Sequence, residues 1–314
     1  MKTATAGDDS EEALAREVAE LERRLRRARE KLARSRAGAG APPAAPPPSL
    51  ATQAPHHYLL LLSDSALPLG SFAFSAGLES YAAHARGRSR ARGVGAPAGP
   101  ALFAFFLPVS AASCAGAALP FVLAAHRDPS SGSVAALDDA LDAAVPCAVA
   151  RRASVAQGRA LLAVWERSLA APAGAEDALR PYAELLRAPL PPSPAGADDD
   201  GDDDGEPPPP PPVAAHFAPL FGAVAARCGL SARQAAYVFL LGHAKALASA
   251  AVRAGLLGPY HAHRALAAEP TRACLAAAVD AAWDVPIERA GQSAPAVDLW
   301  VGRHELLYSR IFNS

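Results

Sequence analysis

ALFAFFLPVSAASCAGAALPFVLAA, residues 101–125, is the stretch on which the reading of this chain turns. It carries no charge, and uncharged runs of about 18 or more residues are candidates for a membrane span. Arg86, Arg88, Arg90 and Arg92 lie upstream, as a cytoplasmic flank would require. Against a span stand Pro108 and Pro120, which interrupt the run, and a middle made of Ser, Ala, Cys and Gly. The stretch therefore reads as a pair of buried helices inside an all-α core, and a membrane is not expected as a partner.

The composition around it favours the same class. Hydrophobic residues make up 51% of the 314 positions, with aromatics at 6% and a single Met, so Ala supplies much of the apolar content. Ala is the best helix former and has little area to bury, which suits closely packed helices. A formal net charge of -1 gives no reason to expect nucleic acid or an acidic surface as partner. Cys114, Cys147, Cys228 and Cys274 are widely spaced, and the N-terminus MKTATAGDDSEEALARE is polar and acidic. Scattered thiols without a secretory signal read as reduced cysteines in a cytoplasmic protein.

Outward from the core stretch, the chain divides into three parts. Residues 1–40 hold a charged helix in which Leu14, Val18, Leu21, Leu25, Ala28 and Leu32 alternate in steps of four and three. That is a heptad seam, read either as one side of a coiled coil or as a single solvated helix. Residues 41–57 form a linker stiffened by Pro42 to Pro48. Residues 58–314 form the compact multi-helix domain, interrupted at 189–212 by a Pro-rich and acidic insertion (DDDGDDDGE) too polar to join a core.

Within that domain, YLLLLSDSALPLGSFAFSAGLESYAAHA (58–85) reads as an apolar helix, a loop and a second helix. Asp64 stops or caps the first, Pro68 and Gly70 break the chain, and Ser75 caps the second. Glu79 lies one place beyond capping-box spacing, so a cap does not account for it. A Gly/Pro/Arg loop is expected over 87–100. Helical spacing covers 101–126, 134–144 and 153–170, then resumes in HFAPLFGAVAARCGL (216–230) and over 231–267.

Two groups of residues invite a catalytic or metal reading. Ala73-Phe74-Ser75-Ala76-Gly77 is a degenerate G-x-S-x-G elbow, with Asp280 or Asp284 and His304 following in hydrolase order. An elbow needs a strand before it, and this chain offers none. His261 and His263 could serve a direct metal-binding metallochaperone, but residues two apart cannot share a helix face, so solvated histidines in a turn are expected. The chain has neither a Walker A sequence nor G-x-G-x-x-G, so no phosphate cradle is expected. The tail, DLWVGRHELLYSRIFNS (298–314), differs from an ordinary chain end, which is polar and frayed. Leu307 with Ile311 and Tyr308 with Phe312 are spaced to form one helical face, with Arg310 beside it. Such a face packs either on the chain's own core or in a partner's groove.

Five motifs in order resemble the urease accessory protein UreF family. LLLLSDSALPLGSFAFSAGLES (59–80) has Asp64, Pro68, Gly70, Phe72, Ser75, Gly77 and Glu79 in place. RRASVAQGRALL (151–162) follows with Arg152, Ser154 and Gly158, then 216–230 with His216 and Gly222, ASAAVRAGLLGP (248–259) with Gly258, and the stretch 290–314. The resemblance implies an all-helical homodimer without catalytic activity, bridging UreD (also called UreH) to the GTPase UreG while nickel passes to apo-urease. It implies no tightly bound cofactor, the nickel being handled by the assembled complex. It also implies that the tail, with Tyr308, Arg310, Ile311 and Phe312, orders on UreD, and that Phe72 and Glu79 face the GTPase and dimer region. Arg253 would couple GTP hydrolysis to nickel delivery. The N-terminal helix and the 189–212 insertion have no counterpart in that family.

Overall fold

The structure, a computed structural model, describes residues 17, 18, 20–28, 31, 54–95, 97–188, 213–291 and 293–313. Contacts divide the chain into two units, Met1–Gln53 and Ala54–Ser314. In the first, every described residue is helical, and Val18, Leu21 and Leu25 of the seam are all more than half exposed. Leu14, Leu32, the run Pro42 to Pro48 and the 189–212 insertion lie outside the described residues.

The second unit is all-α, with no strand among its described residues. Its helices are α1 (Ala54–Ser63), α2 (Leu78–Ala91), α3 (Gly99–Arg127), α4 (Ser131–Ala144), α5 (Ala148–Val164) and α6 (Arg180–Arg187). After the insertion come α7 (Phe217–Arg227), α8 (Ala232–Arg253), α9 (Pro259–Ala267), α10 (Glu269–Ala282) and α11 (Pro295–Arg303). α1 begins inside the stretch read as linker.

The opening stretch is one helix, not two. α3 runs through both Pro108 and Pro120 and packs against α7, α8 and α10. A proline inside a helix leaves the carbonyl four residues earlier without its donor. For Pro120 that carbonyl is Gly116, and the Gly291 N–H supplies the bond from outside at 3.1 Å. For Pro108 it belongs to Ala104, an exposed position open to water. Phe103, Phe106, Phe121 and Val122 of α3 are buried, each such side chain contributing about 1.5–3 kcal/mol. α3 and α8 are both long and apolar enough to cross a membrane, yet about half of each apolar window is buried within the fold.

Two glycines set how closely the helices approach. A Cβ on Gly222 would sit 2.2 Å from the Val122 carbonyl oxygen, so α7 lies directly on the backbone of α3. A Cβ on Gly158 would sit 2.0 Å from the Ala215 oxygen, so α5 needs glycine where the chain enters α7. That entry is tied by one carboxylate. Asp138, fully buried on α4, accepts the backbone N–H groups of Ala214 (2.6 Å), Ala215 (3.2 Å) and His216 (2.5 Å). Ala215 is thereby held at φ 70, a left-handed conformation rare for a residue with a Cβ. The His216 ring completes the hub. Its Nε2–H donates to Asp142 (2.8 Å) and its Nδ1 accepts from the Ser154 hydroxyl (3.0 Å), which in turn accepts the Phe217 N–H (3.2 Å). Arg151 pairs with the same Asp142 at 2.5 Å and holds its carboxyl below the usual range, chiefly through that hydrogen bond.

Three further expectations change. The 87–100 loop is shorter, because α2 continues to Ala91 and α3 starts at Gly99. Ser75 does not cap α2. Gly77, at φ 85, stands before Leu78 with no side-chain cap, and Ser75 is buried with its backbone carbonyl accepting from Leu78. The tail beyond the 3-10 turn His304–Leu306 is irregular, so Leu307/Ile311 and Tyr308/Phe312 do not form a helical face.

Candidate functional site

The first motif of the domain, residues 59–80, and its last residues, far apart in sequence, meet in one place. α1 stops at Ser63, and Asp64 closes the turn by accepting the Ala66 N–H at 3.0 Å. Gly70, at φ 69, turns the chain into the 3-10 segment Ser71–Ala73, which leaves Phe72 partly exposed. Gly77 then permits the close approach of α11. A Cβ there would lie 3.0 Å from the Val301 nitrogen, on a backbone that already demands glycine. One turn further on, Tyr81 packs on Trp300 with ring centroids 4.6 Å apart, and Phe106 of α3 joins them. The motif is thus a seat for the C-terminal segment.

On that seat the tail is held by five contacts. Glu79 Oε1 accepts the Ile311 N–H at 2.8 Å, and the Asn313 N–H donates to the Ala73 carbonyl at 2.7 Å. His304 Nε2 lies 2.9 Å from the Phe312 carbonyl. Since that oxygen can only accept, Nε2 carries the proton. Arg253, at the end of α8, lies over the Phe312 ring at 4.2 Å from its centroid and donates to the Phe72 carbonyl. Arg152 reaches Glu305 from α5. The function of Glu79, unexplained by capping, is to hold the tail.

The clasp is incompletely satisfied. Glu79 Oε2 and His304 Nδ1 face each other at 3.5 Å, and neither has a hydrogen-bond partner. With the His304 proton on Nε2, both facing atoms are acceptors.

The tail side chains divide sharply. Phe312 is 5% exposed and belongs to the chain's own core. Tyr308 is fully exposed, Leu306 is 76% exposed and Ile311 57%, with Arg310 exposed between them. The own-core reading therefore holds for Phe312, while Tyr308, Arg310 and Ile311 stand at the surface. Glu79 is 9% exposed and is covered by the tail, whereas Phe72 and Arg253 reach the surface.

Beneath the motif lies a cavity of about 290 Å³, lined by Leu62, Leu69, Phe74, Phe221, Phe239 and His243 among others. The His243 Nε2 lies 2.9 Å from the Ser110 hydroxyl, and desolvation among these apolar groups lowers its pKa to about 4. Lys245 at its rim is engaged by the Ser63 carbonyl at the end of α1.

The alternative chemistries find no geometry. Ser75 is buried, no strand precedes it among the described residues, His304 is taken up by the tail and Asp280 pairs with Arg233 at 2.7 Å. His261 and His263 stand on α9 rather than in a turn, both exposed, with buried Ala262 between them. Among the described residues, no three of His, Cys, Asp and Glu converge on a metal position. Gly258 precedes α9 as its N-terminal residue, with Pro259 opening the helix.

Sequence reasoning missed Asp138 and Asp142. No spacing rule finds a carboxylate that binds backbone amides more than seventy residues away.

The UreF family model matches residues 101–269, covering α3 to the start of α10. The chain is 35% identical over 263 residues to an uncharacterized urease accessory protein UreF-like of Schizosaccharomyces pombe, a match spanning 84% of this chain and 99% of that protein. It is 30% identical to urease accessory protein F of Oryza sativa subsp. indica, over 80% of this chain and 82% of the relative. A third relative, urease accessory protein 6 of Cryptococcus neoformans, is 24% identical over 82% of this chain and 96% of its own length.

Proposed function

This chain belongs to the UreF family of non-catalytic urease accessory proteins, with a role in urease maturation, and we propose that it acts there as the scaffold joining UreD to the GTPase UreG. The observation that carries the reading is the divided tail. Phe312 is anchored in the core while Tyr308, two residues past the 3-10 turn His304–Leu306, is wholly exposed. An aromatic held on an anchored segment meets a partner with part of its ordering cost already met, which is how hot-spot residues gain affinity.

Arg253 gives the scaffold a means of coupling. Its guanidinium touches the Phe72 carbonyl on one side and the Phe312 ring on the other. A partner pressing on Phe72 and a partner pulling on the tail would compete for the same cation. In this reading Phe72 and Arg253 face UreG, Tyr308, Arg310 and Ile311 face UreD, and the scaffold works as a cytoplasmic homodimer that delivers nickel to apo-urease as cargo of the assembled complex.

The test is the double variant Tyr308→Ala/Ile311→Ala. It replaces two exposed side chains and leaves every clasp contact in place, so its melting temperature should match the parent. Co-purification with UreD and urease activation in a reconstituted maturation mixture should both be lost. A folded double variant that still co-purifies with UreD and activates urease would end the proposal.

A further inference from the structure

The cavity beneath the loop between α1 and α2 is bounded by helix faces whose side chains are too small to fill it. On α3, Cys114, Ala117 and Ala118 share one face by their three- and four-residue spacing, and Gly242 and Ala246 do the same on α8. Ala150 and Ala153 of α5 line it too. A Cβ on Gly242 would meet nothing within 4 Å, whereas Gly158 and Gly222 lie directly against backbone. Protein interiors hold few voids larger than a water molecule. About 290 Å³ of free space is therefore an exception within this fold.

The lining selects the class of occupant. Phe217, Phe221 and Phe239 form one aromatic wall, with ring centroids 5.4 to 5.5 Å apart. A further ring can join such a cluster through the same tilted or stacked contacts. Among the described residues lining the cavity only Asp64 and Lys245 carry formal charge, and both are engaged. Asp64 accepts the Ala66 N–H at 3.0 Å, and Lys245 donates to the Ser63 carbonyl. Gln157 accepts from the Ser71 hydroxyl at 3.0 Å and donates to the Ala153 carbonyl at 3.2 Å, while Ser154 is held by His216. Desolvation keeps His243 neutral and pushes the Cys114 thiol up to about 12. A charged guest would lose its water and find no unengaged counter-ion.

An apolar cavity of about 150 Å³ takes up benzene, so this one has room for two fused rings. We propose that the cavity is a binding site for a small, neutral molecule of two fused rings, held against the phenylalanine wall.

Equilibrium dialysis of the full-length protein against indole, with thermal unfolding in parallel, tests the assignment. The parent should take up one saturable equivalent of indole per chain and unfold at a higher temperature with it. Gly242→Leu and Ala118→Leu each place a side chain in the space, from two different helices. Both variants should unfold at or above the parent temperature without indole, and both should lose the uptake. Indole-2-carboxylate, similar in shape but charged, should bind the parent about tenfold more weakly or worse. Absence of saturable uptake by the parent would overturn the proposal. So would undiminished uptake by both variants, which would put the indole elsewhere, or equal binding of the carboxylate, which would mean that the site accepts charge. Marked destabilisation of both variants would overturn it too, by showing that the space is not free.

Discussion

The hub around Asp138 and the clasp around Glu79 use the same parts, a buried carboxylate, a histidine and backbone amides, and differ in how fully those parts are satisfied. Asp138 accepts three amides, and both ring nitrogens of His216 have partners. Glu79 accepts one amide, and its second oxygen faces an unpartnered nitrogen of His304. A buried network that is complete rigidifies, while each group left without a partner costs about 1–3 kcal/mol. The hub joins α4, α5 and α7, helices that have no reason to separate. The clasp joins the body to a tail that carries the exposed Tyr308. Incomplete satisfaction keeps the tail placed but releasable.

The largest expected effect lies at the hub. Asp138→Ala strands three amides and leaves Ala215 in its left-handed conformation without the contact that holds it. The loss should be on the order of 5 kcal/mol, comparable to the whole stability of many domains. Denaturant unfolding followed by circular dichroism would measure it, and a loss under about 1 kcal/mol would mean the hub is not the structural element described.

Next comes Arg253→Ala. It removes a cation over the Phe312 ring, worth about 0.5–1 kcal/mol at an exposed site, together with the bond to Phe72. Global stability should barely change, while limited proteolysis of the last residues should accelerate severalfold. An unchanged cleavage rate would separate Arg253 from the tail and with it the coupling route.

The smallest effect is acid sensitivity at the hub. Asp142 is held below the ordinary carboxylate pKa by Arg151, then by His216. A depressed carboxylate stabilises the fold above its unfolded value of about 3.9, and that contribution fades as pH falls through the lowered folded value. Arg151→Ala should therefore shift the acid unfolding midpoint to higher pH. The shift should be modest, since the Asp142 side chain is 34% exposed. No shift would show that the pair is surface decoration.

How legible this was in the sequence follows from the range of each interaction. The all-α class was readable because helical spacing is local, and so were α7 and α8. The unity of α3 was not, because the bond that repairs Pro120 comes from Gly291, far along the chain. Glu79 could be marked as lacking a local job, but its partner at Ile311 lies 232 residues away. The tail's spacing suggested a helix, yet the chain bends after Leu306 because Phe312 is drawn toward Arg253 and Asn313 toward Ala73. Residues that fold through their neighbours were predictable. Those placed by distant amides were not.

Hydrogen exchange at the Ile311 and Asn313 amides, in the parent and in Glu79→Ala, tests the clasp most directly. The parent should protect both amides, and Glu79→Ala should lose that protection at both while the Asp138-bound amides of Ala214, Ala215 and His216 exchange as slowly as before. Equal protection of Ile311 in the two proteins, or loss of protection at the hub along with the tail, would contradict a clasp that releases independently of the body.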